Sequence, residues 1–176
     1  MTILKENYIA IGPFINNLAL AINENGKIGY INELEEIIIP YKYDYNFTSN
    51  FTEFGYAVVG YNEKVGIINT KEEKILEPIY EQVLILDKDH FLVLENNQTN
   101  IININKNNIT NNKYSQIITI ENYPYLLVSN NNIYGLIDYN GKEILPLKYK
   151  NIKVYNNYFV LQESENKYII KSNKTN

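Results

Sequence analysis

The 176-residue sequence predicts an all-β fold built from five small repeated units. Three observations carry that prediction. A tyrosine returns at a near-constant interval along the chain, and internal repeats of such a period mark arrays of small supersecondary units. Short apolar runs rich in β-branched and aromatic residues alternate with breaks that carry Asn and Gly. Helical periodicity is nowhere sustained.

Each repeat tyrosine is found from an Ile five residues ahead of it. The pairs are Ile3 and Tyr8, Ile38 and Tyr43, Ile75 and Tyr80, Ile109 and Tyr114, and Ile144 and Tyr149. Successive tyrosines are thus 35, 37, 34 and 35 residues apart. Two further runs recur in fixed order between these phrases. The first is apolar: Leu18–Ile22, Tyr56–Gly60, Phe91–Glu95, Tyr125–Ser129 and Tyr158–Gln162. The second surrounds a small or polar residue: Lys27–Asn32, Lys64–Asn69, Thr99–Ile104, Ile133–Asp138 and Lys167–Lys171. Their length and composition are those of strands, so each unit is expected to be an antiparallel sheet of three or four strands. Turns are expected at the Asn-Gly pairs of Glu24–Gly26 and Tyr139–Gly141, where the positive φ of a tight hairpin is tolerated, and at the loop Asn130–Asn132.

These phrases resemble the WG repeats, also called KWG repeats. That consensus runs roughly as an apolar strand, Asn-Gly-Lys-Trp-Gly-Tyr-Ile-Asp, a Gly-Lys turn, then Ile-Pro-Pro-x-Tyr. Ile133–Tyr149 (IYGLIDYNGKEILPLKY) is the best copy, and Asn25–Tyr43 follows it. The unit at Thr99–Tyr114 departs most, with Asn100 at the Gly position and no Pro. The Trp is replaced throughout, by Ile28, Val65, Thr99, Tyr134 and Tyr168. The resemblance spans essentially the whole chain. It implies a β-repeat architecture and an interaction role, and it brings no catalytic residues.

The fifth unit has its first two strands but no Ile-x-x-x-x-Tyr strand, whereas the sequence opens on one, Thr2–Tyr8 (TILKENY). A ring gains from that split, because one strand then completes the last sheet and removes two exposed edges. The expected architecture is a single β domain over 1–176, a closed five-bladed β-propeller-like ring. Its closing strand is 1–10 and its repeats are 11–46, 47–83, 84–117, 118–152 and 153–173. An open twisted array of β-hairpins is the alternative.

Composition narrows the function classes. The formal net charge is −4 and all 16 basic residues are Lys. Without Arg, the bidentate contacts to bases and phosphates are missing, so direct nucleic-acid binding is not expected. Without Cys there is no disulfide frame or thiolate site, which suits a cytoplasmic setting. No apolar run approaches the roughly 20 residues that span a bilayer. No phosphate loop, nucleophile elbow or paired-carboxylate motif is present, so neither catalysis nor a cofactor is expected. Asp87, Asp89 and the single His90 share one turn, which reads as a polar loop and not as a metal site.

The repeat tyrosines read as packing pieces, since periodic aromatics usually build cores. Residues that break the repeat are more telling. Tyr41, Tyr45, Phe47, Tyr61, Tyr139 and Tyr155 fall at or beside expected turns, and aromatic residues outside a core serve interfaces as anchors. Glu35, Glu36, Glu72 and Glu73 are acidic neighbours expected to steer a basic partner. The expected function is therefore a non-catalytic protein-binding domain. A stoichiometric inhibitor of a larger enzyme fits, such as an anti-CRISPR or toxin-immunity protein acting on a basic nucleic-acid enzyme. A carbohydrate-binding lectin is the alternative.

Overall fold

The computed structural model describes residues 8–173. These form strands and one short 3-10 turn, Tyr45–Phe47, with no α-helix among them. The chain divides into two compact bodies, Met1–Asn96 with Ile104–Lys106, and Asn97–Asn103 with Asn107–Asn176. In the first body, β1 (Ala10–Ile11), β2 (Ala19–Ile22), β3 (Lys27–Ile31) and β4 (Ile37–Asp44) form a sheet in chain order. A second sheet follows from β5 (Tyr56–Tyr61), β6 (Lys64–Asn69) and β7 (Lys74–Tyr80), and then β8 (Gln82–Ile85) pairs with β9 (His90–Glu95). The second body opens with β10 (Gln98–Asn103). It continues with the sheet of β11 (Gln116–Thr119), β12 (Leu126–Asn130), β13 (Ile133–Ile137) and β14 (Glu143–Tyr149), then that of β15 (Asn151–Tyr155), β16 (Tyr158–Ser164) and β17 (Lys167–Ser172). The fold is all-β, with five sheets of three or four antiparallel strands as the repeat predicts; no sheet closes on itself among the described residues.

One local device repeats in three sheets. Tyr30 faces Ile39 while Ile28 faces Tyr43, so two residues of β3 span four of β4. The same mismatch sets Ile67 and Val65 against Leu76 and Tyr80, and Leu136 and Tyr134 against Leu145 and Tyr149. The extra residues bulge out of the ladder, which is where a proline without an N–H is tolerated: Pro40, Pro78 and Pro146 all lie there. Opposite each bulge sits a glycine. A β-carbon on Gly29, Gly66 or Gly135 would lie 2.6, 2.5 or 2.9 Å from the carbonyl oxygen of Ile39, Leu76 or Leu145. Past the bulge the repeat tyrosine returns to the ladder, and Tyr43, Tyr80 and Tyr149 are buried. Beside Tyr43 and Tyr149, the preceding Lys42 and Lys148 lie 5.4 and 5.1 Å from the ring centroid, within cation–π range.

The third repeat shows what happens without that glycine. Asn100 is buried, and its amide takes over hydrogen bonds that a neighbouring strand would make. Its Oδ1 accepts from the Asn112 N–H at 2.8 Å and the Thr110 hydroxyl at 3.0 Å, while its Nδ2 donates to Asn112 Oδ1. Ile109–Tyr114 accordingly forms no strand, although Tyr114 is still buried.

Turn chemistry explains the abundance of Asn. Asn16–Asn17, Asn62–Glu63 and Asn131–Asn132 are pairs with both φ values between 48 and 62°, the left-handed region that two-residue hairpins need. The Asn-Gly sites differ from expectation, because only the glycine of each has positive φ. They are wider turns: Asn23 Oδ1 accepts from the Asn25 and Lys27 N–H groups, and Asp138 Oδ1 from the Lys142 N–H. Asn32 and Asn69 repeat the motif, accepting from Leu34 and Glu36 and from Lys71 and Glu73. A side-chain carbonyl at the turn's first residue thus replaces a missing backbone acceptor.

Each body has its own apolar core. In the first, Ile28, Tyr30, Ile39 and Tyr43 pack against Phe51, Ala57, Val59 and Ile68. Tyr30 is fully buried, its ring centroid 4.7 Å from that of Phe51 and its hydroxyl donating to the Ser49 carbonyl at 2.6 Å. In the second, Leu136, Leu145, Tyr149, Ile152, Phe159 and Leu161 cluster. Two expectations need adjustment. The repeat boundaries at 83, 117 and 152 fall inside β8, β11 and β15, because a short strand opens the next sheet within two residues of each of these repeat tyrosines. Of the closing strand expected over 1–10, residues 1–7 lie outside the described residues. Ile9 and Ala10 instead join the first sheet, with the Ile9 N–H bonded to the Ile22 carbonyl and Ala10 opposite Ile22.

Two substitutions test this account. Gly66→Ala places a methyl against a backbone carbonyl and should cost about 3 kcal/mol in denaturant unfolding. Gly26→Ala meets nothing within 4 Å and carries only its φ of 71°, so about 1 kcal/mol is expected. Equal costs would remove the bulge as the constraint. Asn100→Ala should lose about 2 kcal/mol by orphaning buried donors, and an unchanged unfolding midpoint would contradict the substitution of side chain for strand.

Candidate binding surface

Two of the repeat-breaking aromatics, Tyr45 and Phe47, come together where the first body departs from its own pattern, and Tyr61 lines a neighbouring cavity. In the first sheet β1 pairs along β2. In the second, the segment after β4 takes the corresponding place beside β5 without forming a strand. The Ser49 N–H donates to the Val58 carbonyl and the Val58 N–H to Ser49 Oγ. Thr48 Oγ1 accepts from the Gly60 N–H at 3.1 Å and donates to the Asp44 carbonyl at 2.8 Å. The 3-10 turn Tyr45–Phe47 is thereby pinned to the end of β5. Phe47 lies directly on Gly60, where a β-carbon would sit 2.5 Å from Phe47 Cβ.

Asp44 ties this turn to the β5–β6 hairpin. Its carboxyl is held below the usual carboxylate range, first by the hydrogen bond from Lys27 Nζ at 2.6 Å and also by the backbone N–H groups of Glu63 and Asn62. The result is an open cavity of about 580 Å³ lined by Asp44, Tyr45, Asn46, Phe47, Asn62 and Glu63. Tyr45 is 61% exposed, Phe47 41% and Tyr61 45%. A smaller cavity of about 280 Å³ lies beside it, lined by Tyr61 with Tyr43, Val59, Ile68, Leu76 and Pro78 and by Lys42 and Lys74. Apolar rings held on a pinned backbone lose little freedom on contact, which is what an anchor requires.

The remaining expected residues lie elsewhere. Tyr41 is half-buried in the bulge of β4, packed against Ala19, Ala21 and Ile31. Tyr139 is half-buried in the β13–β14 turn, and Tyr155 is stacked on Tyr158 across its hairpin with centroids 4.9 Å apart. Glu35 supplies the left-handed residue of the β3–β4 turn, and the Glu36 carboxylate accepts from Asn32 Nδ2. Glu72 pairs with Lys42 and accepts from the Tyr43 hydroxyl at 2.9 Å; burial first, then this carboxylate, pushes the phenol's pKa upward. The Asp87 carboxylate caps its own turn, accepting from the Asp89 and His90 N–H groups, with His90 Nδ1 3.0 Å away. Sequence reasoning missed Asp44, Asn46, Asn62 and Glu63. The signal was the run Tyr43–Phe47 (YDYNF), which carries a polar turn where other repeats begin a strand.

No helix among the described residues is long and apolar enough to cross a membrane. No curated protein matches the chain significantly. Among solved structures, BamB from Moraxella catarrhalis is similar over 94% of this chain and 57% of its own, at 12% identity and a TM-score of 0.42. PorZ, a surface component of the type-IX secretion system of Porphyromonas gingivalis, is similar over 96% of this chain and 28% of its own, at 9% identity and a TM-score of 0.40. The chain spans less than two thirds of the length of either. The family model of the WG containing repeat matches residues 28–64, 66–98 and 134–168, and it skips the stretch in which Asn100 replaces the glycine. Those matches cover more than half of the sequence, and the chain belongs to the WG-repeat family.

Proposed function

We propose that the chain is a non-catalytic, protein-binding repeat domain of the cytoplasm that acts stoichiometrically, as an inhibitor docked on a larger and basic enzyme. The observation that carries this reading is the pinned aromatic platform of Tyr45 and Phe47 beside Glu63. A partner ring or aliphatic chain gains contact with the exposed faces, and Glu63 together with the net charge of −4 favours a basic surface. An anti-CRISPR or toxin-immunity role is the specific form of this proposal, in which the partner is a nucleic-acid enzyme. The same cavity also suits a lectin, because Tyr45 and Phe47 offer stacking faces beside the amides of Asn46 and Asn62.

A pull-down from the cells that encode the protein, run beside a glycan array, separates the two readings. Tyr45→Ala and Phe47→Ala should each weaken capture of the protein partner about thirtyfold, roughly 2 kcal/mol, without lowering the melting temperature. Capture that is indifferent to both substitutions removes the platform as the site; a glycan hit lost in both variants selects the lectin. The platform should also respond to acid in a defined direction. The Asp44 pKa is depressed in the folded state, so its contribution is present above the ordinary carboxylate range near pH 4 and is lost as pH falls through the lower folded value. Hydrogen exchange at Asn62 and Glu63 should therefore quicken only below about pH 4, and Asp44→Asn should show fast exchange already at pH 7.

A further inference from the structure

Among the described residues the last sheet ends on β17, at the place where three other sheets add one more strand. In two of those sheets the matching positions, Ile28 and Tyr30 paired with β4 and Val65 and Ile67 paired with β7, are all at most 3% exposed. Tyr168 and Ile170 hold these positions on β17 and are 60% and 71% exposed. Two apolar residues two apart on a sheet edge form a template for another strand.

Ile169 determines the shape of that strand. It stands where Gly29, Gly66 and Gly135 lie against a bulge, and a side chain there meets the bulge's carbonyl. The third repeat, with Asn100 in that position, forms no bulged strand either. The bulged strands place an apolar residue four ahead of their tyrosine, as in Ile39 and Tyr43 or Leu76 and Tyr80. Leu4 and Tyr8 of this chain share that spacing, which Ile169 disfavours.

Charge determines its chemistry. Lys167 and Lys171 flank the apolar pair, on the opposite face of β17. Glu163 lies 2.6 Å from Lys167 and 3.6 Å from Lys148, so one carboxylate is shared by two ammonium groups and the cluster stays positive. Antiparallel pairing with a second copy about Ile169 would set Lys167 opposite Lys171, and like charges directly opposite are unfavourable.

We propose that β17 is a docking edge for a partner's extended, unbulged strand. Its two apolar residues would face Tyr168 and Ile170, with carboxylates opposite Lys167 and Lys171. The full chain would be titrated by fluorescence anisotropy with three labelled peptides: Ser-Glu-Val-Thr-Val-Glu-Ser, its Lys-for-Glu counterpart, and Thr-Ile-Leu-Lys-Glu-Asn-Tyr. The acidic peptide should bind about tenfold more tightly than either of the others. N-methylation of one alternate set of its amides should abolish binding while the other set leaves it intact, and Ile170→Glu should weaken it about tenfold with an unchanged melting temperature. The proposal is overturned if the chain's own segment binds best, if the acidic and basic peptides bind alike, if β17 mediates self-association, or if no peptide binds.

Discussion

A single short contact organises each regular sheet: a backbone carbonyl that comes within van der Waals range of a glycine on the neighbouring strand. At Gly66 the space for a side chain is already taken, with Leu76 O, Pro78 N and Glu77 C all within 2.8 Å of a β-carbon's place. The approach lets four residues fold back over two. That bulge creates a ladder position where proline is tolerated, and it sets the repeat tyrosine back in register over the core. Glycine, proline and tyrosine thus recur together because one geometric event needs all three. Where the glycine is lost, the strand is lost with it. Asn100 replaces the strand by a side-chain network, and Ile169 lies on a strand that ends its sheet among the described residues.

Committing the repeat residues to this device decides which residues are left for binding. Tyr43, Tyr80, Tyr114 and Tyr149 are buried, and Asn32, Asn69 and Asp138 are consumed by their turns. Even the acids expected to steer a partner are partly engaged, since Glu36 and Glu73 bond to Asn side chains and Glu72 to Lys42 and Tyr43. Exposed aromatic surface accumulates instead where the pattern fails. The second sheet has a pinned turn in place of a strand, and there Tyr45 and Phe47 are free to project.

The repeat was legible in the sequence because it is written in residue types with few substitutes. Ile-x-x-x-x-Tyr located the last strand of the first, second and fourth sheets, and the apolar runs located β2, β5, β9, β12 and β16. The four-residue bulge was not legible, since register depends on the facing strand and the phrase alone reads as continuous. Nor were the short opening strands β8 and β11, whose four residues carry too little pattern to separate from the preceding tyrosine. Of the candidate site, Tyr45, Phe47 and Tyr61 were found as breaks in the repeat. Asp44 was missed because its role rests on Lys27 and on the Asn62–Glu63 amides, partners 17 to 19 residues away in sequence.

Cross-strand nuclear Overhauser contacts measure the register itself. Contacts are expected between Tyr30 and Ile39 and, at the same time, between Ile28 and Tyr43, repeated as Ile67 with Leu76 and Val65 with Tyr80. An unbroken ladder, with Ile28 facing Tyr41 and Val65 facing Pro78, would contradict this register.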